Sequence, residues 1–202
     1  LIDLVVLVAD RDAEFAVKTL IARRYQSLGI RPVEFKIIQH PQHDPGTFLD
    51  AHNLLRQYVG KARHALVILD REGSGQEGNM NADEIESAIE NRLSQNGWAR
   101  DSVTAIALDP ELEVWVWSRS PHVQSILNIT NIQAEQVFQR FPPDGRGKPN
   151  RPKEAMRFAL RLGNKPPSAS LFQELAERVS LNASERAFDR FKSTLAKWFP
   201  LT

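Results

Sequence analysis

Four short β-prone runs alternate with segments of helical spacing, and this alternation constrains the fold more than any other feature of the chain. Residues 4–8 are continuously apolar, as expected of a strand covered on both faces. The run stops at Asp10-Arg11-Asp12. Ala13, Ala16, Val17, Leu20, Ile21 and Tyr25 then recur at helical spacing. Asp12 is the expected N-cap of that helix and Gly29 its expected terminator. A second strand is expected over 33–38, a loop over 40–46 from its Pro, His, Asp and Gly content, and a second helix from Phe48, Ala51, Leu55 and Tyr58. A third strand, 65–69, runs into Asp70-Arg71-Glu72 and a glycine-rich polar loop reaching about Asn81. Ile85, Ala88, Ile89 and Leu93 mark a third helix, and 103–108 a fourth strand. A helix over 111–117 should bury Leu112, Trp115 and Val116.

Such an order predicts an α/β fold, a mostly parallel sheet flanked by helices. After residue 120 the strand signal ends. Helical spacing returns at 134–138, 153–162, 171–179 and 187–198, around a basic Pro/Gly-rich loop at 141–151. The expected organisation is an α/β domain over 1–120 and a helical C-terminal part over 121–202 packed on it. A length of 202 residues with 42% apolar content suits this arrangement. The chain has no cysteine, which excludes disulfides, thiolate metal sites and a thiol nucleophile. No apolar run approaches the roughly 20 residues that cross a bilayer, so no membrane association is expected. The first segment lacks the basic start and cleavage site of a signal peptide, and a cytoplasmic location is the expectation. The chain does not open on Met, which leaves room for residues before Leu1.

Ligands of an open parallel sheet bind beyond the carboxyl ends of its strands. Three of those ends carry acids: Asp10 and Asp12, then Asp70 and Glu72, then Asp109 with Glu111 and Glu113. Carboxylates gathered there repel one another, and a hard divalent cation, Mg²⁺ or Mn²⁺, relieves the repulsion and can polarise a phosphate. The competing reading is that acids at strand ends cap the next helix, and Asp12 and Asp109 are open to it. Charge is also uneven. Residues 1–140 carry 14 Lys/Arg against 19 Asp/Glu, a net −5. Residues 141–202 carry 12 against 6, a net +6. Arg146, Lys148, Arg151 and Lys153 in the basic segment are candidates for phosphate contacts.

The motif at the end of the first run, Asp10-x-Asp12-Ala13-Glu14-Phe15, together with Asp70-Arg71-Glu72-Gly73 after the third, resembles the TOPRIM domain of topoisomerases, primases and OLD-type nucleases. Pro110-Glu111-Leu112-Glu113-Val114-Trp115, Pro152-Lys153-Glu154-Ala155 and the Ala187-Phe188-xx-Phe191 helix are similar to small bacterial TOPRIM-like proteins encoded beside anti-phage genes, among them a component of a methylation-associated defence system. The resemblance implies metal-dependent phosphodiester chemistry on nucleic acid. Asp10, Asp70 and Glu72 would hold the metal, Glu113 or Asp12 would serve as outer ligand or base, and other defence proteins would be partners. Two departures bear on catalysis. Ala9-Asp10 stands where the pattern wants Glu, and Glu72 where it wants Asp. A chain that had lost its base would be a catalytically degenerate interaction subunit of a larger defence complex.

Other motifs carry less. Gly73-Ser74-Gly75-Gln76-Glu77-Gly78 lacks the Gly-Lys-Ser/Thr ending of a P-loop. No Gly-x-Ser-x-Gly elbow is present. His40-x-x-His43 has no third zinc ligand of clear spacing. Trp98, Trp115 and Trp117 read as core. A nucleotide or small phosphate ester is a further ligand class that the compact acid site permits.

Overall fold

The computed structural model describes residues 1–145, 147–181 and 185–201. Four strands, β1 (Ile2–Val8), β2 (Phe35–Gln39), β3 (Ala62–Asp70) and β4 (Val103–Leu108), form one sheet in the order β2-β1-β3-β4. Every pairing is parallel, with Val6 opposite Ile37 and Leu66, and Ile68 opposite Ile106. Helices α1 (Arg11–Arg23), α2 (His43–Arg56) and α3 (Ala82–Gln95) make the crossovers.

Side chains along a strand alternate between faces, and the two cores follow that period. Leu4, Val6, Val8, Leu66, Ile68, Ile106 and Leu108 face one way, onto α1. Val5, Leu7, Val67, Leu69, Ala105 and Ala107 face the other, onto α2 and α3. Continuous apolar strands arise because both faces are covered.

The C-terminal part is helical: α4 (Glu113–Val116), α5 (Pro121–Leu127), α6 (Asn131–Arg140), α7 (Pro152–Leu162), α8 (Ala169–Arg178) and α9 (Arg186–Trp198). Phe138, Leu160, Leu175 and Phe191 join the same core as α1 and that face of the sheet. One continuous apolar core therefore spans both parts of the chain. Trp98, Trp115 and Trp117 are buried, as expected of core residues. No helix among the described residues is long and apolar enough to cross a membrane.

Strand β4 lies at the sheet's edge, where unpaired backbone groups need partners. The helices supply them. Glu90 Oε1 accepts from Ala105 N and Glu86 Oε1 from Ala107 N, each at 2.9 Å, while Arg190 Nε donates to Ala105 O at 3.1 Å. Arg186 on α9 donates to both oxygens of Glu86. A charged lattice between α3 and α9 thus closes the edge.

Several boundaries differ from the sequence expectations. Asp10, not Asp12, caps α1: its Oδ1 accepts from Ala13 N at 2.8 Å. Helix α1 stops at Arg23, and Gly29 lies in a later turn at φ +74°. The segment expected as loop over 40–46 becomes helix at His43, because Pro45 falls within the first turn, where its missing N–H costs nothing. The expected helix over 111–117 is a single turn, and α5 is an addition to the expected elements.

A candidate phosphate-ester site at the strand ends

Strand order reverses between β1 and β3, so the carboxyl ends of those strands flank the crevice where open α/β sheets bind ligands. Asp70, the last residue of β3, points into the protein there and is 6% exposed. Its Oδ1 accepts from Leu112 N at 2.9 Å. Its own backbone N–H donates to Asp44 Oδ1 at 2.7 Å, which brings the start of α2 to the end of β3. Lys153, in the first turn of α7, reaches back into the group. Its Nζ lies 3.4 Å from Glu111 Oε1 and 3.8 Å from Asp70 Oδ2. Its backbone N–H donates to Glu111 Oε2 at 3.3 Å.

The electrostatics follow from burial and crowding. Burial pushes the Asp70 carboxyl well above the ordinary range, and the neighbouring Asp44 and Glu113 push it further, against Lys153. Burial raises Glu113 to about 7 although Lys153 opposes it. Glu111, Asp12 and Asp44 are raised too, each chiefly by burial. Burial works against the Lys153 ammonium, but Asp70, Glu113 and Glu111 outweigh it and hold the lysine charged.

A cleft of about 400 Å³ opens beside this cluster. Asp12, Glu113 and Lys153 line one end; Arg157, Arg161 and Lys165 line the rest, above an apolar floor that includes Leu171 and Phe172. Its wall carries four cations against two carboxylates, so an anion is favoured there. Lys165 is already engaged, donating to Ile126 O at 2.7 Å.

Of the residues expected from sequence, Asp10, Asp70, Glu113 and Lys153 come together. Glu72 does not join them. It is exposed beyond the end of β3, and its charge bears on Glu111. The expected metal triad of Asp10, Asp70 and Glu72 is therefore not assembled, with Asp10 committed to capping α1. Among the described residues no three or more His, Asp or Glu side chains are grouped so as to hold a metal ion. Carboxylate oxygens suit Mg²⁺ chemically, but Lys153 stands between Asp70 and Glu111, and the residues as arranged do not fit the ion.

The basic loop also divides. Arg146 lies outside the described residues. Lys148, a candidate for phosphate contact, is buried, and its Nζ donates to Trp117 O; its ammonium serves the fold and does not face solvent. Arg151 is exposed and lies over the Phe141 ring at 5.4 Å. Asp109 pairs with Arg71 at 3.5 Å. His40 Nδ1 accepts from Gln42 N at 3.1 Å, so this histidine stabilises a turn.

Sequence reasoning missed Asp44, Arg157 and Arg161. Asp44 sits in a segment that reads as loop. The arginines sit in a helix whose apolar period alone stands out. Comparison with family models, with curated proteins and with solved structures finds no match for this chain.

Proposed function

We propose that the chain carries out phosphodiester chemistry on nucleic acid in the cleft beside the strand-end cluster. The observation that carries the reading is the joint placement of Asp12, Glu113 and Lys153 at one end of a cleft whose other charged residues, Arg157, Arg161 and Lys165, are cations. A cleft with convergent polar groups at the strand ends is where such a fold works.

The chemistry follows from these side chains. Lys153, with Arg157 and Arg161, holds the non-bridging oxygens of the phosphate and offsets the charge that develops on them. The oxygen of a water attacks phosphorus, and its proton passes to the Glu113 carboxylate. The bond from phosphorus to the leaving ester oxygen breaks, and that oxygen takes a proton from solvent. Asp70 does not reach the cleft wall; it positions Lys153 and accepts from Leu112 N. No step runs through a metal, because the carboxylates are not arranged for one. A role in bacterial anti-phage defence rests on the TOPRIM resemblance.

A second reading has its own observation. Ala9, buried at the end of β1, stands where the TOPRIM pattern wants Glu, and this favours a catalytically degenerate subunit that docks other defence proteins. The test is hydrolysis of labelled DNA and RNA oligonucleotides by wild type and by Glu113→Gln, each in chelator and in Mg²⁺ or Mn²⁺. Cleavage that Glu113→Gln abolishes supports the enzyme. Absence of cleavage in every arm supports the docking subunit.

A further inference from the structure

The surface beside the cleft carries a second set of cations, two of which the proposed chemistry does not use. Arg140 ends α6, Arg151 precedes α7, and Arg157 and Arg161 lie on the exposed face of α7. Together they line a surface depression of about 300 Å³ with Phe141 and one carboxylate, Glu154. Among the described residues none of the four guanidinium groups has a carboxylate at ion-pair distance. Other exposed arginines do, such as Arg23 with Glu177 and Arg31 with Asp3.

Three of the four are laid over aromatic rings. Arg140 lies 4.8 Å from the Phe158 centroid and 5.8 Å from that of Phe141. Arg151 lies 5.4 Å from the Phe141 centroid and Arg161 5.7 Å from that of Phe158. A planar guanidinium held over a ring loses little further freedom on binding and keeps its N–H edges for an anion. Arg157 and Arg161 line both this depression and the cleft. The basic surface is thus continuous with the cleft and ends at Lys153 and Glu113. Four residues of helix advance about 6 Å, so Arg157 and Arg161 are spaced on the scale of one nucleotide step. Unpaired guanidinium groups that extend from the depression into the cleft through Arg157 and Arg161 match an extended polyanion better than a compact acidic patch on a protein.

We propose that Arg140, Arg151, Arg157 and Arg161 form the track on which the sugar–phosphate backbone of a nucleic-acid strand lies as it enters the cleft. The direction of the track rests on the reading of the cleft as a phosphodiester site; the affinity of the surface does not depend on catalysis.

The test is fluorescence anisotropy of a labelled single-stranded DNA oligonucleotide, titrated with the full chain over a range of salt concentrations. The comparison covers wild type, Glu113→Gln, Arg151→Gln/Arg157→Gln and the charge-retaining Arg151→Lys/Arg157→Lys. On a single strand, every phosphate that the protein no longer neutralises lowers the slope of log affinity against log salt by about 0.7. The Gln pair is expected to lose about 1.4 from that slope and to bind at least tenfold more weakly at moderate salt; the Lys pair keeps the slope. Among the described residues Arg157 has no ring or ion-pair partner, so Arg157→Gln alone reads out without a folding defect and should lose about 0.7. Unchanged affinity and slope in the Gln variants overturn the track. So does displacement of the DNA by polyglutamate at equal charge concentration, which would assign the surface to an acidic protein. If Glu113→Gln and wild type are both inactive yet the Gln pair binds weakly, the track stands and the catalytic reading falls. If hydrolysis depends on Glu113 while binding ignores the arginines, the track alone falls.

Discussion

Lys153 Nζ lies 3.8 Å from Asp70 Oδ2 and is also 3.4 Å from Glu111 Oε1, so a lysine from the C-terminal helices occupies the carboxylate cluster at the end of β3. The α/β part supplies the acids and the helical part supplies the cation. Lys153 is half-buried and Asp70 almost wholly buried, which makes the pair strongly interdependent. Removing one partner of a buried pair leaves the other uncompensated and costs about 3–5 kcal/mol where burial is complete. Lys153 is partly exposed, so Lys153→Met should lose less, about 1–3 kcal/mol in urea unfolding. Lys153→Met combined with Asp70→Asn should recover part of that loss, because the buried charge is gone.

Glu113 gives the pH dependence its sign. Its carboxyl is raised from 4.5 to about 7 by burial, so the folded state binds a proton that the unfolded state releases at lower pH. Stability from this group is fully present below pH 4.5 and declines as pH rises toward and through 7. The shift is worth about 3 kcal/mol. Thermal unfolding followed from about pH 5 to pH 8 should show wild type losing stability through that window, with a flatter profile for Glu113→Gln. Hydrolysis should run the other way, with kcat/KM rising through about pH 7 as Glu113 becomes a base.

Glu86 is 2% exposed and joins the backbone of β4 to Arg186 on α9. Glu86→Ala should destabilise the fold by about 3 kcal/mol, since it orphans Ala107 N and leaves Arg186 without its buried partner. Hydrogen exchange should show the Ala107 amide losing protection. The Ala105 amide, held by Glu90, should change less.

Lys148 and Arg151 sit close together in the chain and are predicted to behave oppositely. Lys148→Met removes the donor to Trp117 O in a buried setting and should cost about 1–3 kcal/mol, with DNA affinity unchanged at temperatures where the variant is folded. Arg151→Gln should leave the melting temperature within about a degree or two, as exposed substitutions do, and weaken DNA binding.

Much of this arrangement was legible in the sequence. The strand runs were visible because double-sided burial writes continuous apolar stretches, and β4 was delimited to the residue. Asp70, Glu113 and Lys153 were legible as acids at strand ends and a base in the later basic segment. Their meeting was not, because it depends on how α7 packs against β3, and helical periodicity carries no information on which strand end a helix faces. Glu72 was misjudged for a related reason. A two-residue step past the end of a strand turns the side chain to solvent once the chain enters the turn that Gly73 makes at φ +91°. Lys148 was misread because a lysine among prolines and glycines looks solvated, whereas a backbone carbonyl left over at the end of α4 drew it inward.

Lys153, and not a bound ion, supplies the positive charge of the cluster in this account. Calorimetric titration of Mn²⁺ into wild type, Lys153→Met and Lys153→Met/Asp70→Asn tests that claim directly. The expected result is no heat of binding for wild type, measurable binding for Lys153→Met as the carboxylates left without the lysine take an ion in its place, and loss of that binding in the double variant. Tight Mn²⁺ binding by wild type that disappears in Asp70→Asn would contradict the claim, and would mean that the lysine yields its place to the metal.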